Sequence, residues 1–197
     1  MKLVHLRGQE MAKAAALSPA GMAAVLGGER SVVLAAIKEL GLVAANDNGA
    51  GQIVAAGNLD ALSQLAPDGA RVRALAVAGA FHTPFMEPAV APLRAMAAEI
   101  RTSAAKVAVI SNRDGEVVSD GREVLDRIVN QIANPVRWDL CMETLRAQGV
   151  TGVIELAPGG TLAGLIKRAA PEIEQLALKS PADIAAAREF AARHGKA

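Results

Sequence analysis

The sequence predicts an α/β fold built from two parts. Between residues 19 and 77, the apolar runs, glycine turns and helical periodicities follow the order β-α-β-β-α-β, which is typical of a ferredoxin-like subdomain. From residue 86 onward, short and continuously apolar strands alternate with helices, the pattern of a parallel sheet covered by helices on both faces. We therefore predict a large domain formed by residues 1–18 and 78–197, with residues 19–77 inserted into it as a smaller subdomain.

Composition limits the class of protein. The chain has 197 residues, of which 52% are hydrophobic, so it can bury a substantial core. The formal net charge is only +1 and aromatic residues make up 2%, which argues against nucleic-acid binding because a basic stripe and stacking platforms are both missing. No apolar run is long enough to span a bilayer, and the N-terminus lacks a signal-peptide pattern, so we expect a cytoplasmic protein without a membrane partner. The single cysteine, Cys141, has apolar neighbours that indicate a buried structural thiol rather than a catalytic one, and it leaves no intramolecular disulfide.

The first helix is predicted over residues 2–16, where the apolar side chains keep roughly to one side. No Ser, Thr, Asp or Asn precedes it as an N-cap, so we expect that the chain is entered partway through a longer protein. The elements of the subdomain then follow in order: strand 22–26, a Gly27-Gly28 turn, helix 31–40 closed by Gly41, strands 42–45 and 52–55 around a turn at 46–51, helix 59–65 and strand 71–77.

The remaining elements alternate between helix and strand. They are a helix from Met86 to about Ile100, strand 107–110, helices 123–132 and 138–148, strand 152–156, helix 161–169, strand 175–178 and a closing helix after Pro181. Three apolar strands make a poor sheet by themselves. We therefore expect an incomplete parallel-sheet domain, part of which lies outside this chain.

One candidate for chemistry is the loop that follows strand 71–77. A run of small residues ending at Ala80 delivers Phe81 and His82 side by side, and Pro84 disfavours helix for the residue before it, so we expect His82 to be held at the end of a strand. An imidazole titrates near neutral pH and is the most frequent general base. On position alone, a structural histidine is the alternative.

Arg7 and Met11 stand four residues apart and so share one face of the first helix. A guanidinium fork beside an apolar wall suits a carboxylate that is carried on a small acyl group. The alternative is a surface arginine held in an ion pair.

Three further segments offer weaker candidates. In residues 131–138 a helix ends before Pro135 and leaves backbone carbonyls without internal partners; one of them could accept the Nδ1–H of an imidazole, and a plain helix corner is the alternative. Asn46 and Asn48 lie in the predicted hairpin turn, where the tolerance of asparagine for positive φ explains them. The loop at residues 158–161 could bind a phosphate through backbone N–H groups, but it lacks the Lys and the spacing of a P-loop and so favours a tight structural turn.

Five short motifs occur in a fixed order along the chain. They are Leu6-Arg7-Gly8-Gln9-Glu10-Met11, Asn46-Asp47-Asn48-Gly49-Ala50-Gly51-Gln52-Ile53-Val54, Gly79-Ala80-Phe81-His82, Gln131-Ile132-Ala133-Asn134-Pro135-Val136-Arg137-Trp138 and Glu155-Leu156-Ala157-Pro158-Gly159-Gly160-Thr161-Leu162. In order and approximate spacing they resemble the malonyl-CoA:acyl-carrier-protein transacylases, and the resemblance covers nearly the whole chain. It implies an α/β-hydrolase-like large domain with a ferredoxin-like insert.

The resemblance also implies an activity of fatty-acid or polyketide synthesis. In this ping-pong acyl transfer, a serine takes malonyl from malonyl-CoA and passes it to the phosphopantetheine thiol of acyl carrier protein, with no cofactor or metal. His82 matches the general base, and Gln131 matches the residue whose backbone carbonyl orients that imidazole. Arg7 matches the arginine that pairs with the malonyl carboxylate, and Met11 lines the same pocket.

Three more positions follow from the same resemblance. Phe81 matches a bulky residue that favours malonyl over a methyl-branched extender unit. Asn46 and Asn48 fall where the family has active-site asparagines.

The sequence departs from the family at the nucleophile. The family carries it in a Gly-His-Ser-Leu-Gly segment upstream of the arginine helix, and an earlier Gly-Gln-Gly-Ser-Gln segment supplies part of the oxyanion hole. No serine of this chain stands in a Gly-x-Ser-x-Gly setting; the seven are Ser18, Ser31, Ser63, Ser103, Ser111, Ser119 and Ser180. We therefore expect the C-terminal portion of a transacylase, inactive by itself. The alternative is a non-catalytic binding module that docks acyl carrier protein or a synthase partner.

Overall fold

The computed structural model of the chain describes residues 1–195 and has a mixed α/β fold. The chain divides into two compact units, one formed by Met1–Cys141 and the other by the residues from Met142 onward. The division between an insert at residues 19–77 and a surrounding domain remains a prediction.

The first unit begins with α1, Lys2–Ala15, close to the predicted bounds. No side chain caps its start, so its stability depends on packing. The buried residues of α1, Met11 and Ala14, belong to a helical core that also contains Leu93 and Ile132, both completely buried. This packing fixes the position of the helix that carries Arg7.

The predicted β-α-β-β-α-β order is present over residues 20–74. Its elements are β1 (Ala20–Gly27), α2 (Arg30–Glu39), β2 (Val43–Asp47), β3 (Gln52–Asn58), α3 (Leu59–Gln64) and β4 (Ala70–Ala74). The four strands pair antiparallel in the order β4-β1-β3-β2, and helix α2 packs on them around the buried Val25, Val33 and Ile37. The turn after β1 places Gly27 and Gly28 at positive φ, a conformation that glycine adopts without steric cost.

Short elements make up the rest of the first unit and the start of the second. They are a 3₁₀ helix (Pro84–Ala89), α4 (Val90–Ala98), β5 (Val109–Ile110), β6 (Val117–Val118), α5 (Gly121–Asn130), a second 3₁₀ helix (Gln131–Ala133), β7 (Val136–Arg137) and α6 (Trp138–Ala147). The single helix predicted from Met86 therefore consists of two pieces. Pro88 lies inside the 3₁₀ segment and has no N–H for an α-helical hydrogen bond, which explains the interruption.

The prediction of a parallel sheet was wrong for strand 107–110. This segment contributes β5, which pairs antiparallel with β6 in a separate two-stranded sheet. Strand β7 was missed as well, and it extends the main sheet to five strands by pairing in parallel with β2. The predicted strand 71–77 ends at Ala74, although the N–H of Leu75 still donates to the carbonyl of Met22.

The second unit is a small α/β arrangement. It contains β8 (Gly152–Glu155), α7 (Thr161–Ala169), β9 (Glu174–Ala177), a 3₁₀ helix (Pro181–Asp183) and α8 (Ile184–His194). Strands β8 and β9 pair with each other in parallel, and helix α7 connects them, as the sequence predicts for this segment. Within residues 1–195, no helix combines the length and the hydropathy needed to cross a bilayer.

Candidate active site

The loop between Gly79 and Phe85 packs closely against α1. A Cβ added at Gly79 would lie 2.7 Å from the Cβ of Ala15, so glycine is needed for this approach. Ala80 is completely buried, and Phe81 packs on core residues of both the helical cluster and the sheet. The loop is therefore anchored on both sides of the residues that carry the candidate chemistry.

The backbone of His82 is unusual. The expectation that His82 ends a strand was wrong, because β4 stops at Ala74 and His82 adopts a left-handed conformation with φ +60°. Within residues 1–195, Ala50 is the only other non-glycine residue at positive φ. Such a conformation costs an L-residue about 1–2 kcal/mol, so the surrounding contacts must hold it.

The imidazole of His82 contacts a backbone carbonyl. Its Nδ1 lies 2.9 Å from the oxygen of Gln131, the contact that the family resemblance leads us to expect. A carbonyl can only accept, so Nδ1 carries the proton and donates it, and Nε2 of the neutral ring keeps a free lone pair. Gln131 follows the end of α5, and its side-chain Nε2 donates to the carbonyls of Asn134 and Pro135, both at 2.7 Å. These two bonds hold the turn that presents the carbonyl.

Burial lowers the pKa of His82 below its ordinary value of 6.5 because the imidazolium loses solvation. The hydrogen bond to Gln131 acts in the opposite direction, and the positive charge of Arg7 lowers the pKa further. The ring is therefore neutral at neutral pH. This is the protonation state in which Nε2 can accept a proton from a nucleophile.

Arg7 is half-buried on α1, and burial lowers the pKa of its guanidinium. It forms no ion pair with a carboxylate of residues 1–195, so the alternative of a surface arginine in a salt bridge does not hold. Met11 lies one turn further along and is only 7% exposed, in the core on which Phe81 packs. A cation that has lost solvent without gaining a counterion favours the binding of an anion.

Within residues 1–195, no hydrogen bond joins Asn46 or Asn48 to His82. Asn46 is part of β2 and pairs with Val136 of β7, whereas Asn48 follows the strand. The explanation of these asparagines by turn geometry was wrong, because neither has positive φ. The turn has positive φ at Gly49, Ala50 and Gly51.

No serine hydroxyl contacts the candidate base, although all seven serines lie within the described residues. Several bond to neighbours in sequence: the Ser31 hydroxyl donates to Glu29, and that of Ser63 donates to the Asp60 carbonyl. Within residues 1–195, the site therefore consists of a neutral imidazole and a guanidinium without an ion pair, and no serine hydroxyl lies against the imidazole.

Cys141 has the properties of a structural thiol. It is buried, and its Sγ donates to the carbonyl of Ser111 at 3.4 Å. Burial, together with the charges of Asp139 and Asp114, raises the pKa of Cys141 to about 11. Thiolate, the reactive form, is therefore scarce at neutral pH. No cluster of three or more His, Cys, Asp or Glu side chains in the described part of the chain is arranged to hold a metal ion.

The loop at residues 158–161, in the second unit, is occupied by a carboxylate of the chain itself. Glu155 accepts hydrogen bonds from the backbone N–H groups of Gly160, Leu162 and Ala163 at 2.7, 3.0 and 2.9 Å. Burial alone would raise the pKa of Glu155, but these donors outweigh it and the pKa lies below its ordinary value. The helix start that follows this loop thus already has a carboxylate acceptor from the chain itself, which favours a structural turn over a phosphate site.

Thr83 was missed by the sequence analysis. It is completely buried, and its Oγ1 donates to the carbonyl of Ala80 at 2.6 Å and accepts from the N–H of Phe85 at 3.2 Å. A signal for it was available, since Thr followed by Pro84 is a typical N-cap and N1 pair.

Comparisons with known proteins show which family the chain resembles. A family model described as an acyl transferase domain matches residues 1–187. Malonyl CoA-acyl carrier protein transacylases from Mycobacterium bovis and Escherichia coli K12 are 52% and 33% identical over 92% and 96% of this chain. The chain spans 61% and 64% of the length of these two relatives.

Solved structures are similar as well. A crystal structure of MCAT from Mycobacterium tuberculosis has a TM-score of 0.88 at 52% identity, covering 92% of this chain and 61% of that one. An acyl carrier protein S-malonyltransferase from Vibrio cholerae has a TM-score of 0.84 at 32% identity, covering 94% and 64%. A malonyl-transacylase in complex with a type II PKS acyl-carrier protein has a TM-score of 0.85 at 29% identity, covering 95% and 63%. The resemblance derived from the sequence motifs is thereby confirmed, and the chain belongs to the acyl transferase domain family.

Proposed function

We propose that this chain provides the general base and the carboxylate-binding residues of a malonyl-CoA:acyl-carrier-protein transacylase. The observation that carries the proposal is the His82 imidazole, which donates from Nδ1 to the Gln131 carbonyl and leaves Nε2 free near Arg7, whose guanidinium has no ion pair within residues 1–195. Membership of the acyl transferase family and the names of the relatives support malonyl as the acyl group.

The proposed reaction proceeds in two half-reactions. Nε2 of His82 takes the proton of a serine hydroxyl, the serine oxygen attacks the thioester carbonyl of malonyl-CoA, and coenzyme A leaves as a thiol after receiving that proton. In the second half, His82 deprotonates the phosphopantetheine thiol of acyl carrier protein, and the sulfur attacks the malonyl ester. The bond from the acyl carbon to the serine oxygen breaks, and that oxygen receives the proton held by His82. No cofactor besides these substrates takes part.

Arg7 is proposed to bind the malonyl carboxylate through two parallel N–H donors, which its half-buried position strengthens. Met11 and Phe81 form the apolar wall of the same pocket, and the bulk of Phe81 disfavours a methyl-branched acyl group. Asn46 and Asn48 are proposed as active-site asparagines on the resemblance alone.

The domain organisation of the chain is also part of the proposal. The antiparallel order β4-β1-β3-β2 with helices α2 and α3 supports a ferredoxin-like subdomain at residues 19–77, inserted into an α/β-hydrolase-like domain of residues 1–18 and 78–197. A reaction that uses coenzyme A thioesters and acyl carrier protein fits a cytoplasmic location.

The first experiment tests whether this chain contains a nucleophile that can accept malonyl. Because no Gly-x-Ser-x-Gly segment occurs in this sequence, we expect no malonyl ester on the chain alone after incubation with malonyl-CoA, as measured by intact mass. Mixing or fusing the chain with the serine-bearing part of the Mycobacterium bovis relative should restore malonyl transfer to acyl carrier protein. A malonyl ester on the chain alone would overturn the assignment of a missing nucleophile.

The second experiment tests the proposed roles of His82 and Arg7. In the reconstituted enzyme, His82→Gln should lower malonyl transfer by about 100-fold or more. Arg7→Ala should weaken malonyl but not acetyl transfer, by about 10- to 100-fold, and Arg101→Ala, an exposed arginine, serves as the matched control. Unchanged malonyl selectivity in Arg7→Ala would remove that residue from the pocket. Co-elution with acyl carrier protein without any restored transfer would favour the alternative, a non-catalytic binding module.

A further inference from the structure

We propose that Thr83 is a positioning residue for His82: its buried hydroxyl fixes the loop so that Nδ1 of the imidazole faces the Gln131 carbonyl and Nε2 is presented as the acceptor. The inference rests on the proposed function in so far as His82 is the base. Its structural content can be tested without any acyl transfer.

The geometry of the hydroxyl is the first argument. Oγ1 of Thr83 donates to the carbonyl of Ala80 at 2.6 Å and accepts from the N–H of Phe85 at 3.2 Å. The two bonded backbone groups lie on either side of Phe81 and His82. Thr83 therefore closes the short loop that contains the candidate base.

The second argument is the backbone at His82. Its left-handed φ of +60° is unfavourable for an L-residue and persists only where the surroundings fix it. Thr83 itself is extended, with φ −135° and ψ 170°, and is completely buried. The reversal at His82 is thus held between a fixed carbonyl before it and a fixed N–H after it.

The pattern of hydrogen bonds distinguishes positioning from simple capping. An N-cap needs only an acceptor for the N–H of Phe85, which Ser, Thr, Asp or Asn supplies. The bond to Ala80 requires a donor in addition. A hydroxyl does both at once, and this second bond is the one that reaches back across His82.

Nitrogen-detected NMR on the histidines tests the proposal on the full chain. There are three histidines, His5, His82 and His194, and His82→Gln assigns the signal of interest. In the wild type and in Thr83→Ser, we expect the Nδ1–H tautomer and a pKa below 6.5. In Thr83→Val, we expect the tautomer ratio to change by about tenfold in favour of Nε2–H, the effect of one weakened hydrogen bond. We also expect the pKa of His82 to fall further below 6.5, because the bond to Gln131 raises that pKa.

Ser63→Ala is the matched control. The Ser63 hydroxyl donates to the Asp60 carbonyl at 2.6 Å, a bond of the same length and sequence separation as that of Thr83, but in α3. It should leave the His82 signal unchanged. Far-UV circular dichroism and the His5 and His194 signals report whether each variant keeps its fold.

The outcomes are separate from those for acyl transfer. A folded Thr83→Val with a wild-type His82 tautomer and titration overturns the inference and leaves the proposed function intact. If Thr83→Val does not fold, Thr83→Ala removes the hydroxyl without adding a methyl group, and its His82 signal decides the question. Global unfolding of both variants would assign Thr83 a purely structural role and overturn the inference.

Discussion

Arg127 joins α5 to the hairpin of β5 and β6. Its guanidinium donates to both carboxylate oxygens of Asp114, at 2.7 and 2.8 Å, and to Glu116 and Glu123 at 3.1 and 2.8 Å. Burial alone would lower the pKa of Arg127, but these hydrogen bonds outweigh it and raise the pKa above its ordinary value. Because Gln131 lies one turn further along, the same contacts hold the helix end that faces the candidate base.

We predict that Arg127→Met lowers the free energy of unfolding by about 2–5 kcal/mol. Nη1 of Arg127 donates to both oxygens of the Asp114 carboxylate, between side chains that are 10% and 28% exposed, and a hydrogen bond between charged groups contributes about 1.5–3 kcal/mol. Glu116 and Glu123 are 68% and 52% exposed, and such pairs contribute about 0.2–1 kcal/mol each. Methionine retains the apolar stem, so lost packing adds little.

Urea unfolding followed by far-UV circular dichroism measures this change. Glu116→Gln is the matched control, since it removes the most exposed of the three carboxylates and should alter the free energy of unfolding by less than about 1 kcal/mol. Added salt should reduce the small contribution of Glu116 more than that of Asp114, because exposed pairs are screened more strongly. A midpoint and slope for Arg127→Met equal to those of the wild type would refute the reasoning.

Three other groups give predictions that follow from their surroundings. The pKa of His82 is lower in the folded chain than the ordinary 6.5, so the unfolded chain binds more protons and the free energy of unfolding falls as the pH drops below 6.5. Urea unfolding at several pH values should show a smaller decrease for His82→Gln. Cys141, with a pKa of about 11 against an ordinary 9.0, should react with a disulfide reagent at pH 8 at least about 100-fold more slowly in the native chain than in urea, and equal rates would contradict its burial. Glu155→Gln should lower the protection of the α7 amides against hydrogen exchange by about 1 kcal/mol, because a neutral side chain replaces a charged acceptor at a helix start. Unchanged α7 protection would show that the charge of Glu155 does not stabilise the helix.

Elements with strong local signals were predictable. Helix α1 and helix α7 have a clear helical periodicity, and α7 begins and ends at the predicted residues, Thr161 and Ala169. The order of strands and helices over residues 20–74 is set by glycine turns and apolar runs that are separated by only a few residues. In each case the information lies within the segment itself.

Elements that depend on distant partners were not predictable. Strands β5, β6 and β7 have two residues each, too few for any periodicity, and exist because a partner strand lies beside them. The left-handed backbone of His82 likewise depends on the contacts of Thr83 and on the close approach at Gly79. Sequence spacing contains none of this information.

The candidate site was likewise predictable only in part from the sequence. Forty-nine positions separate His82 from Gln131, and the residues alone indicated only that some carbonyl near Pro135 could accept from an imidazole. The family resemblance supplied the pairing, and the structure has the contact. The absence of an ion pair at Arg7 within residues 1–195 required the structure, because the sequence alone also allowed a surface arginine held in an ion pair.

Each of the two central side chains of the site has a group without a partner among residues 1–195, Nε2 in His82 and the guanidinium in Arg7. Burial makes His82 a neutral ring with a free acceptor, and Arg7 is a cation that has no counterion among residues 1–195. On the proposed function, a serine hydroxyl satisfies the first and a malonyl carboxylate satisfies the second. Because the charge of Arg7 also lowers the pKa of His82, a bound carboxylate that neutralises Arg7 would raise the basicity of the imidazole. Binding of the correct acyl group would thus strengthen the base that acts on it, a coupling that an uncharged acyl group cannot produce.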